Sequence, residues 1–428
     1  MYLKELVERS EMDNTIKQVD YDIAIVGGGM VGIPLAIGLA ERGFKVALIE
    51  KFRLKDVSHE VLQNSFDLRS TAISLGSIEL LQALGLWDAE QALACAINRV
   101  HVSEQGKMGT TSIEARDVGV DALGYVVPNM ALGGLLHSRL MESDVAVLDQ
   151  SVVTQVQMTD TCAQLELDVI ENKADGDRLQ KKNLTAKLFV IADGAESNLA
   201  RSLGIDYSIK SYHQKAIITN LKTELDNKGV AYERFAKSGP AALLPLKRDV
   251  SALVWTLHDD VADEMIAMTD ADFATHIETL FGGRLGRIDK VGERDAYSLA
   301  LTQAKELCRE RLLVVGNAAH SLHPVAGQGF NLALRGIVAF IEGLTLCKEN
   351  EFWAYKNLKP LVDAHRGEQF KIVNFSDQLV ELFSPDSHVP ALLRSSGLVA
   401  LNSFKELKTE FARHTMGRAQ SLKPLSAG

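Results

Sequence analysis

Hydrophobic patterning divides the chain into segments of two periods. Residues 22–26 (DIAIV) form a short apolar run of strand character that enters Gly27-Gly28-Gly29-Met30-Val31-Gly32 directly. Apolar positions then recur at helical spacing through Leu35, Ala36, Leu39 and Ala40. Gly43 ends that helix, and residues 45–49 (KVALI) make a second strand closing on Glu50. Ser151–Met158 and residues 162–170 alternate apolar and polar positions and read as a hairpin. Residues 188–192 (LFVIA) and 312–315 (LLVV) are strands of the fully buried kind, and the stretch LALRGIVAFIEGL after the second has a helical pattern. Residues 207–301 are strand-rich, with ALLPL and SALVWTL the clearest runs and one helix near Asp270–Phe281. The tail, 346–428, reads mainly helical, interrupted at Pro385 and Pro390. No repeat or low-complexity tract breaks this order.

Composition narrows the class. A chain of 428 residues with 46% apolar and 24% charged positions is an ordinary globular chain, long enough for two or three domains. Its 46 basic and 56 acidic residues give a net charge of −10, which argues against broad nucleic-acid binding. Cys95, Cys162, Cys308 and Cys347 are widely spaced and form no CxxC pair, so neither a disulfide frame nor a zinc site is expected. No uninterrupted run of 18 apolar residues exists, so no helix is expected to span a bilayer. The first 20 residues are too polar for a secretory signal, and a cytoplasmic chain is expected.

Strand, GxGxxG, helix, strand and acid together make a dinucleotide-binding βαβ fingerprint. Gly27 permits the tight turn, Gly29 lets the backbone approach a pyrophosphate at the helix N-terminus, and Gly32 lets the helix pack on the strand. Glu50, 18 residues past Gly32, is placed to accept hydrogen bonds from a ribose diol. The fingerprint alone does not separate NAD from FAD. Two later segments have no place in a simple NAD dehydrogenase. One is Asp193-Gly194 followed by Arg201. The other is Gly316-Asn317, running on to His320, His323-Pro324, Gly327-Gln328-Gly329 and Phe330-Asn331.

On these three ordered segments the chain resembles the class A flavoprotein aromatic monooxygenases of the para-hydroxybenzoate hydroxylase type. Within them it resembles the ubiquinone-biosynthesis hydroxylases, through DLRSTAISLGS at 67–77, YERFAKSGPAALLPL at 232–246 and HPVAGQGFNLALR at 323–335. The fold this implies is α/β: a Rossmann-like FAD-binding domain from 20–90, 117–206 and 302–345, interwoven with a mixed-sheet substrate domain from 91–116 and 207–301, then a helical C-terminal region, 346–428. FAD is the implied cofactor and NADH or NADPH the electron donor. The implied reaction adds one atom of O2, through a flavin C4a-hydroperoxide, to the ring of a polyprenylated phenol of the 2-polyprenyl-6-methoxyphenol type.

The implied cofactor contacts are Gly27, Gly29, Gly32, Glu50, Arg69, Asp193, Gly194, Gly316, Asn317, Pro324, Gly327, Gly329, Phe330 and Asn331. Arg69 would reach the pyrophosphate or ribityl side. Backbone N–H groups at Gly327, Gly329, Phe330 and Asn331 would face the reduced flavin's N1–C2=O edge. Asn129 is a cofactor contact or a plain helix cap. His323 is the candidate for proton transfer, and the HxxH pair it forms with His320 lacks the further ligands of a metal site. Phe235, Leu243, Pro245 and Trp255 are either the phenol pocket or plain sheet core. The chain departs from the family at Asn317, where Asp is usual, and at Arg201, one position late. A prenylated substrate also implies peripheral contact with the inner membrane, for which 392–411 offers an amphipathic surface against the simpler reading that it packs on the FAD domain. A biosynthetic complex would be a partner of the same kind. The alternatives left open are a sister hydroxylase acting at another ring carbon and a non-catalytic flavin-binding subunit.

Overall fold

A computed structural model describes residues 19–54, 69–107, 109–173, 176–195, 197–321 and 328–383, together with 409–410, 412–413 and 416–418. Its first sheet is eight-stranded and built around Tyr21–Val26. That strand runs parallel to Val46–Ile49 on one side and to the end of Gly176–Ile191 on the other, with Ile23 in register with Val46 and Leu188. Ala146–Leu148 and Leu312–Val314 extend the parallel array at its two ends. Both faces are covered, so Ile23, Ala24, Ile25, Val46, Leu48, Phe189 and Val190 have almost no exposed surface. Coverage on both sides is why these strands read as unbroken apolar runs.

The strand expected at 188–192 is the last part of a longer one. Gly176–Ile191 begins as the antiparallel partner of Ala163–Lys173, which pairs in turn with Ser151–Met158, and only then enters the parallel array. The covering helices are α1 (Gly32–Ala40), α2 (Leu75–Ala83) and α3 (Asn129–Met141). A short α4 (Asn198–Ser202) follows the turn at Asp193-Gly194.

The second sheet has nine strands. From one edge the order is His320–Ser321, Asp295–Ala304, Tyr207–Thr223, Val250–His258, Gly239–Lys247, Val230–Ala236, Arg99–Glu104 and Thr110–Glu114, with Ile288–Val291 beside Tyr207–Thr223. α5 (Asp259–Ala267) and α6 (Asp270–Phe281) cover one face. Ile217, Leu243, Leu253 and Trp255 point to these helices, against Met265, Phe273 and Ile277. The Trp255 and Phe273 rings lie 6.3 Å apart.

This corrects three of the four pocket candidates. Side chains alternate across a strand, and the register pairs Leu243 with Leu253, Ala241 with Trp255 and Pro245 with Ser251. Leu243, Pro245 and Trp255 therefore lie on the helix-covered face, and Leu243 and Trp255 belong to its core. Phe235 alone is on the other side.

That other side meets a small sheet of Ser70–Ser74, Gly124–Pro128 and Cys95–Ala96. Val126 and Ile97 pack with Ala231, Leu244 and Leu246, and the C-terminal residues Ala412 and Met416 complete this cluster. Gly76 N–H donates to Met416 O at 2.9 Å, and Arg418 pairs with Glu79. The described end of the chain thus returns to the first domain, while 392–408 lies outside the described residues.

α7 (Gln328–Leu346) and α8 (Tyr355–Phe383) close the first sheet's other flank. Residues Gly329–Leu346 have the length and mean hydropathy (1.3) of a membrane span, but 61% of that window is buried inside the molecule. Leu334, Ile337, Ile341 and Leu344 face the core, and Arg335 and Glu342 are what interrupt the apolar run in the sequence. α7 is a core helix.

Truncating Trp255 to Ala should lower stability by about 3–5 kcal/mol, the usual result of removing a buried aromatic side chain. Denaturant unfolding measures this. A destabilisation under 1 kcal/mol would contradict the placement.

Candidate active site

The parallel strands of the first sheet end on one edge, and each end carries a residue singled out in the sequence: Gly27 after Tyr21–Val26, Glu50 after Val46–Ile49, Asp193 after Gly176–Ile191 and Gly316 after Leu312–Val314. Ligands of open parallel sheets bind at this edge. The turns touch one another. Gly27 has φ +111°, and a Cβ there would lie 2.3 Å from Ala192 O and 2.9 Å from Asp193 Cα. A Cβ on Gly32 would lie 1.8 Å from Gly27 O, and one on Gly316 2.8 Å from Val31 Cγ1. Gly29 is the exception, since nothing lies within 4 Å of its Cβ position. The fingerprint therefore contains two glycines that serve packing and one whose backbone faces open space beside the N-terminus of α1.

Glu50 holds this loop in shape. Its Oε2 accepts the Gly28 N–H at 2.5 Å and its Oε1 the Phe52 N–H at 2.9 Å. Each oxygen keeps a second lone-pair direction for a sugar hydroxyl. Asp193 accepts a hydrogen bond from Ser197 Oγ at 3.0 Å, and Ser197 in turn caps α4 by accepting from Ala200 N–H. Burial pushes the Asp193 carboxyl up, opposed by the Ser197 hydrogen bond and reinforced by the nearby Glu50 charge. Gly194 follows at φ +104° with nothing near its Cβ position. Arg201, displaced by one position, packs on the Tyr207 ring at 5.0 Å. The Tyr207 hydroxyl donates to Ala318 O at 2.9 Å, which fixes the turn after Gly316. Asn317 is exposed in an otherwise buried run from Arg311 to His320.

The first turn of α7 holds Gly329, Phe330 and Asn331. The Asn331 side chain is buried and acts like an added strand: its Oδ1 accepts the Ser74 N–H at 2.9 Å and its Nδ2 donates to Ala72 O at 3.1 Å. It ties α7 to the small sheet. Asn129 is the first residue of α3 rather than its cap, and its Oδ1 accepts from Thr71 Oγ1 at 2.7 Å. Arg69 donates to the Tyr297 hydroxyl at 2.9 Å across to the second sheet, and that hydroxyl donates to Asp295. Pro324, Gly327 and the proton-transfer candidate His323 lie outside the described residues.

Tyr297 identifies the face of the second sheet that looks toward this edge. Register puts it in one row with Ala216 and Thr256, and the next row on that face is Asp295, Ile218, Val254, Ala242 and Glu233. The helix-side residues between these rows, Ile217, Ala241 and Trp255, are buried, whereas Ile218, Val254, Ala242 and Glu233 keep partial exposure. The side of the sheet that looks toward this edge is thus an accessible apolar wall of Ile218, Val254 and Ala242, with Glu233 in the same row and Glu104, opposite Phe235, on the next strand.

Glu233 is the functional candidate that sequence reasoning missed. It has neither hydrogen-bond nor ion-pair partner among the described residues. Its surface is partly open. Burial pushes it up to about 7. The only sequence signal was an acid inside the strand VAYERFA.

His320 is almost wholly buried, neither ring nitrogen is hydrogen-bonded among the described residues, and its ring lies 5.8 Å from that of His365 on α8. Burial holds His320 down to about 3 and His365 to about 4, so both are neutral near pH 7. Among the described residues no three His, Cys, Asp or Glu side chains gather as metal ligands.

Residues 20–348 match the FAD binding domain family. The chain belongs to that family. It is 33% identical to ubiquinone hydroxylase UbiL of Rhodospirillum rubrum, across 92% of this chain and 89% of the relative. It is 31% identical to the 3-demethoxyubiquinol 3-hydroxylase of Escherichia coli, across 92% and 98%. The fold is shared with p-nitrophenol 4-monooxygenase PnpA of Pseudomonas putida, at a TM-score of 0.73 and 16% identity, covering 94% of this chain and 99% of that one. The family makes the chain an FAD-dependent monooxygenase, and the cleft suits that cofactor. Gly29 leaves space for a pyrophosphate, Glu50 has free acceptor capacity for a ribose, and Asn317 and the first turn of α7 present polar groups beyond them.

Two outcomes follow. Gly29→Val should leave the apoprotein's melting temperature unchanged while lowering bound flavin at least about tenfold, whereas Gly32→Val should fail to fold; flavin absorbance and circular dichroism measure both. An unfolded glutamate ionises near 4.5, but folded Glu233 holds its proton to about 7. The folded state therefore loses stability as pH rises from about 4.5 to about 7 and stays lower above. Glu233→Gln should raise the melting temperature at pH 8, and that gain should vanish as the pH falls toward 4.5.

Proposed function

We propose that the chain hydroxylates the ring of a polyprenylated phenol of the 2-polyprenyl-6-methoxyphenol type in ubiquinone biosynthesis, with NADH or NADPH as reductant. Per turnover one phenol, one O2, one NAD(P)H and one proton give the ring-hydroxylated product, water and NAD(P)+. The observation that carries the reading is the accessible apolar wall of Ile218, Val254 and Ala242 opposite the cofactor edge. A binding face of this kind suits an alkylated aromatic ring and excludes the water that would waste a reactive oxygen species. The naming of the relatives as ubiquinone hydroxylases supports the pathway.

In this reading 20–90, 117–206 and 302–345 hold the cofactor, and 91–116 with 207–301 hold the substrate. Bound FAD supplies electron acceptance from NAD(P)H and oxygen transfer. The chain's residues bind and orient. Gly29 admits the pyrophosphate, Glu50 takes the ribose, and Asn317 accepts from the ribityl hydroxyls. The N-terminus of α7 would set the positive end of its helix dipole toward negative charge on the reduced ring. Arg69 bridges the cofactor side and Tyr297. The prenyl tail partitions into lipid, so the protein meets the inner membrane peripherally from the cytoplasmic side.

A second reading, oxidation at another ring carbon, is favoured by the likeness to the 3-demethoxyubiquinol 3-hydroxylase. Purified holoenzyme supplied with NAD(P)H, 18O2 and either a short-chain 2-prenyl-6-methoxyphenol or the corresponding demethoxyquinol decides between them. The first reading expects one 18O atom in the phenol-derived product, para to the hydroxyl. Label only in the quinol product would favour the second, and consumption of NAD(P)H with neither product would refute both.

A further inference from the structure

We infer that Glu233 is the general base that takes the proton from the substrate's phenolic hydroxyl as the ring is hydroxylated. This rests on the phenol reading above and adds the residue that activates the ring.

The chemistry calls for such a group. A phenol ring attacks an electrophilic oxygen through the carbon para to its hydroxyl. As the new C–O bond forms, the ring loses electron density and the hydroxyl becomes strongly acidic. A base that accepts this proton lets the O–H electron pair flow into the ring. The para hydrogen then leaves as a proton, the aromatic ring is restored, and the second oxygen atom of O2 departs as water. No oxidant beyond O2 and no reductant beyond NAD(P)H is needed.

Position singles out Glu233. Along Val230–Ala236, Ala231 packs against the small sheet and Phe235 is buried, and Glu233 stands between them on the same face. There the cover of the small sheet gives way to the open wall. In the row Glu233, Ala242, Val254, Ile218 and Asp295, the three residues between the acids are apolar, and Asp295 is exposed at the far end. Glu104, opposite Phe235 on the neighbouring strand, shares the face of Glu233 and has an interaction of its own; the remaining titratable groups near the cleft are engaged or misplaced. The Tyr297 hydroxyl takes a hydrogen bond from Arg69 and gives one to Asp295. Asp193 is bonded to Ser197 on the nucleotide side. His320 is sealed against His365. The residues directly opposite Glu233 are Ala242 and Val102, neither of them charged, and Glu104 is diagonal to it on the next strand. An unpaired carboxylate is costly to hold in such surroundings, and destabilising groups of this kind concentrate at functional sites. Its elevated pKa, about 7, also narrows the gap to a phenol near 10, which improves a general base.

The test uses the FAD-loaded enzyme and two readouts. The first is kcat/KM for hydroxylated product between pH 5.5 and 9. Wild type should rise with pH to a plateau above about 7, since only ionised Glu233 accepts a proton. Glu233→Gln should lose that limb and fall by about 10²-fold or more. Glu233→Asp should keep the limb at a reduced rate. The second readout needs no turnover. 2-Methoxy-4-nitrophenol has its para carbon blocked, and its phenolate absorbs visible light. Bound to the oxidised holoenzyme, it should ionise at least about one pH unit higher in wild type than in Glu233→Gln, because an adjacent carboxylate disfavours a second negative charge. Equal ionisation in the two proteins, or an unchanged pH profile in Glu233→Gln, would overturn the inference while leaving the phenol reading intact. Absence of hydroxylated product from wild type would sink the phenol reading instead, and the nitrophenol titration would still decide whether Glu233 faces the ligand.

Discussion

The site depends on one close approach, that of the start of α1 to the turn at Gly27. With Gly32 set so near that a Cβ would overlap Gly27 O, the helix N-terminus comes down onto the strand end, and the loop between them is forced outward at Gly29. Glu50 fixes that loop through the Gly28 N–H. The same turn presses on Ala192 and Asp193, and Val31 presses on Gly316. Three segments separated by well over a hundred residues each are thereby locked against one another. The cleft is the space their close packing leaves open.

Opposite that edge, one sheet serves two tasks by the alternation of its side chains. Its odd rows, with Ile217 and Trp255, are sealed under α5 and α6 and supply rigidity. Its even rows, with Ile218, Val254 and Ala242, stay accessible and face the cofactor side. Arg69 and Tyr297 tie the two halves at one end, and the small sheet with Leu244 and Leu246 joins them at the other. The wall between these ties is where an aromatic ring has room. Glu233 stands there without a partner among the described residues, at a cost to the fold.

The first domain was legible in the sequence because its signals are local. Residues 22–50 carry a strand, three spaced glycines, a helix and an acid in one continuous stretch, and the structure adds only which glycine faces open space. The turns at Asp193 and Gly316 were legible as strand ends, though not their mutual contact. The nine-stranded sheet was less legible, for a physical reason. Leu243 and Trp255 have the composition of a pocket, but the face they occupy is decided by α5 and α6, which lie elsewhere in the chain. A strand's period shows two faces and does not say which one is covered. Asn129 and Asn331 illustrate the same limit: one bonds Thr71 instead of capping a helix, and the other's side chain pairs with the backbone of Ala72 and Ser74. Glu233 looked like an ordinary acid in a strand, and only its lack of partners in three dimensions distinguishes it.

A crystal structure of the FAD-loaded protein with a 2-alkyl-6-methoxyphenol bound tests the central claim most directly. The account predicts the pyrophosphate at Gly29, the flavin ring between Asn317 and the first turn of α7, and the phenol between that ring and Ile218, Val254 and Ala242. Flavin elsewhere than this cleft, or a phenol lodged on the Trp255 side of the sheet, would contradict it.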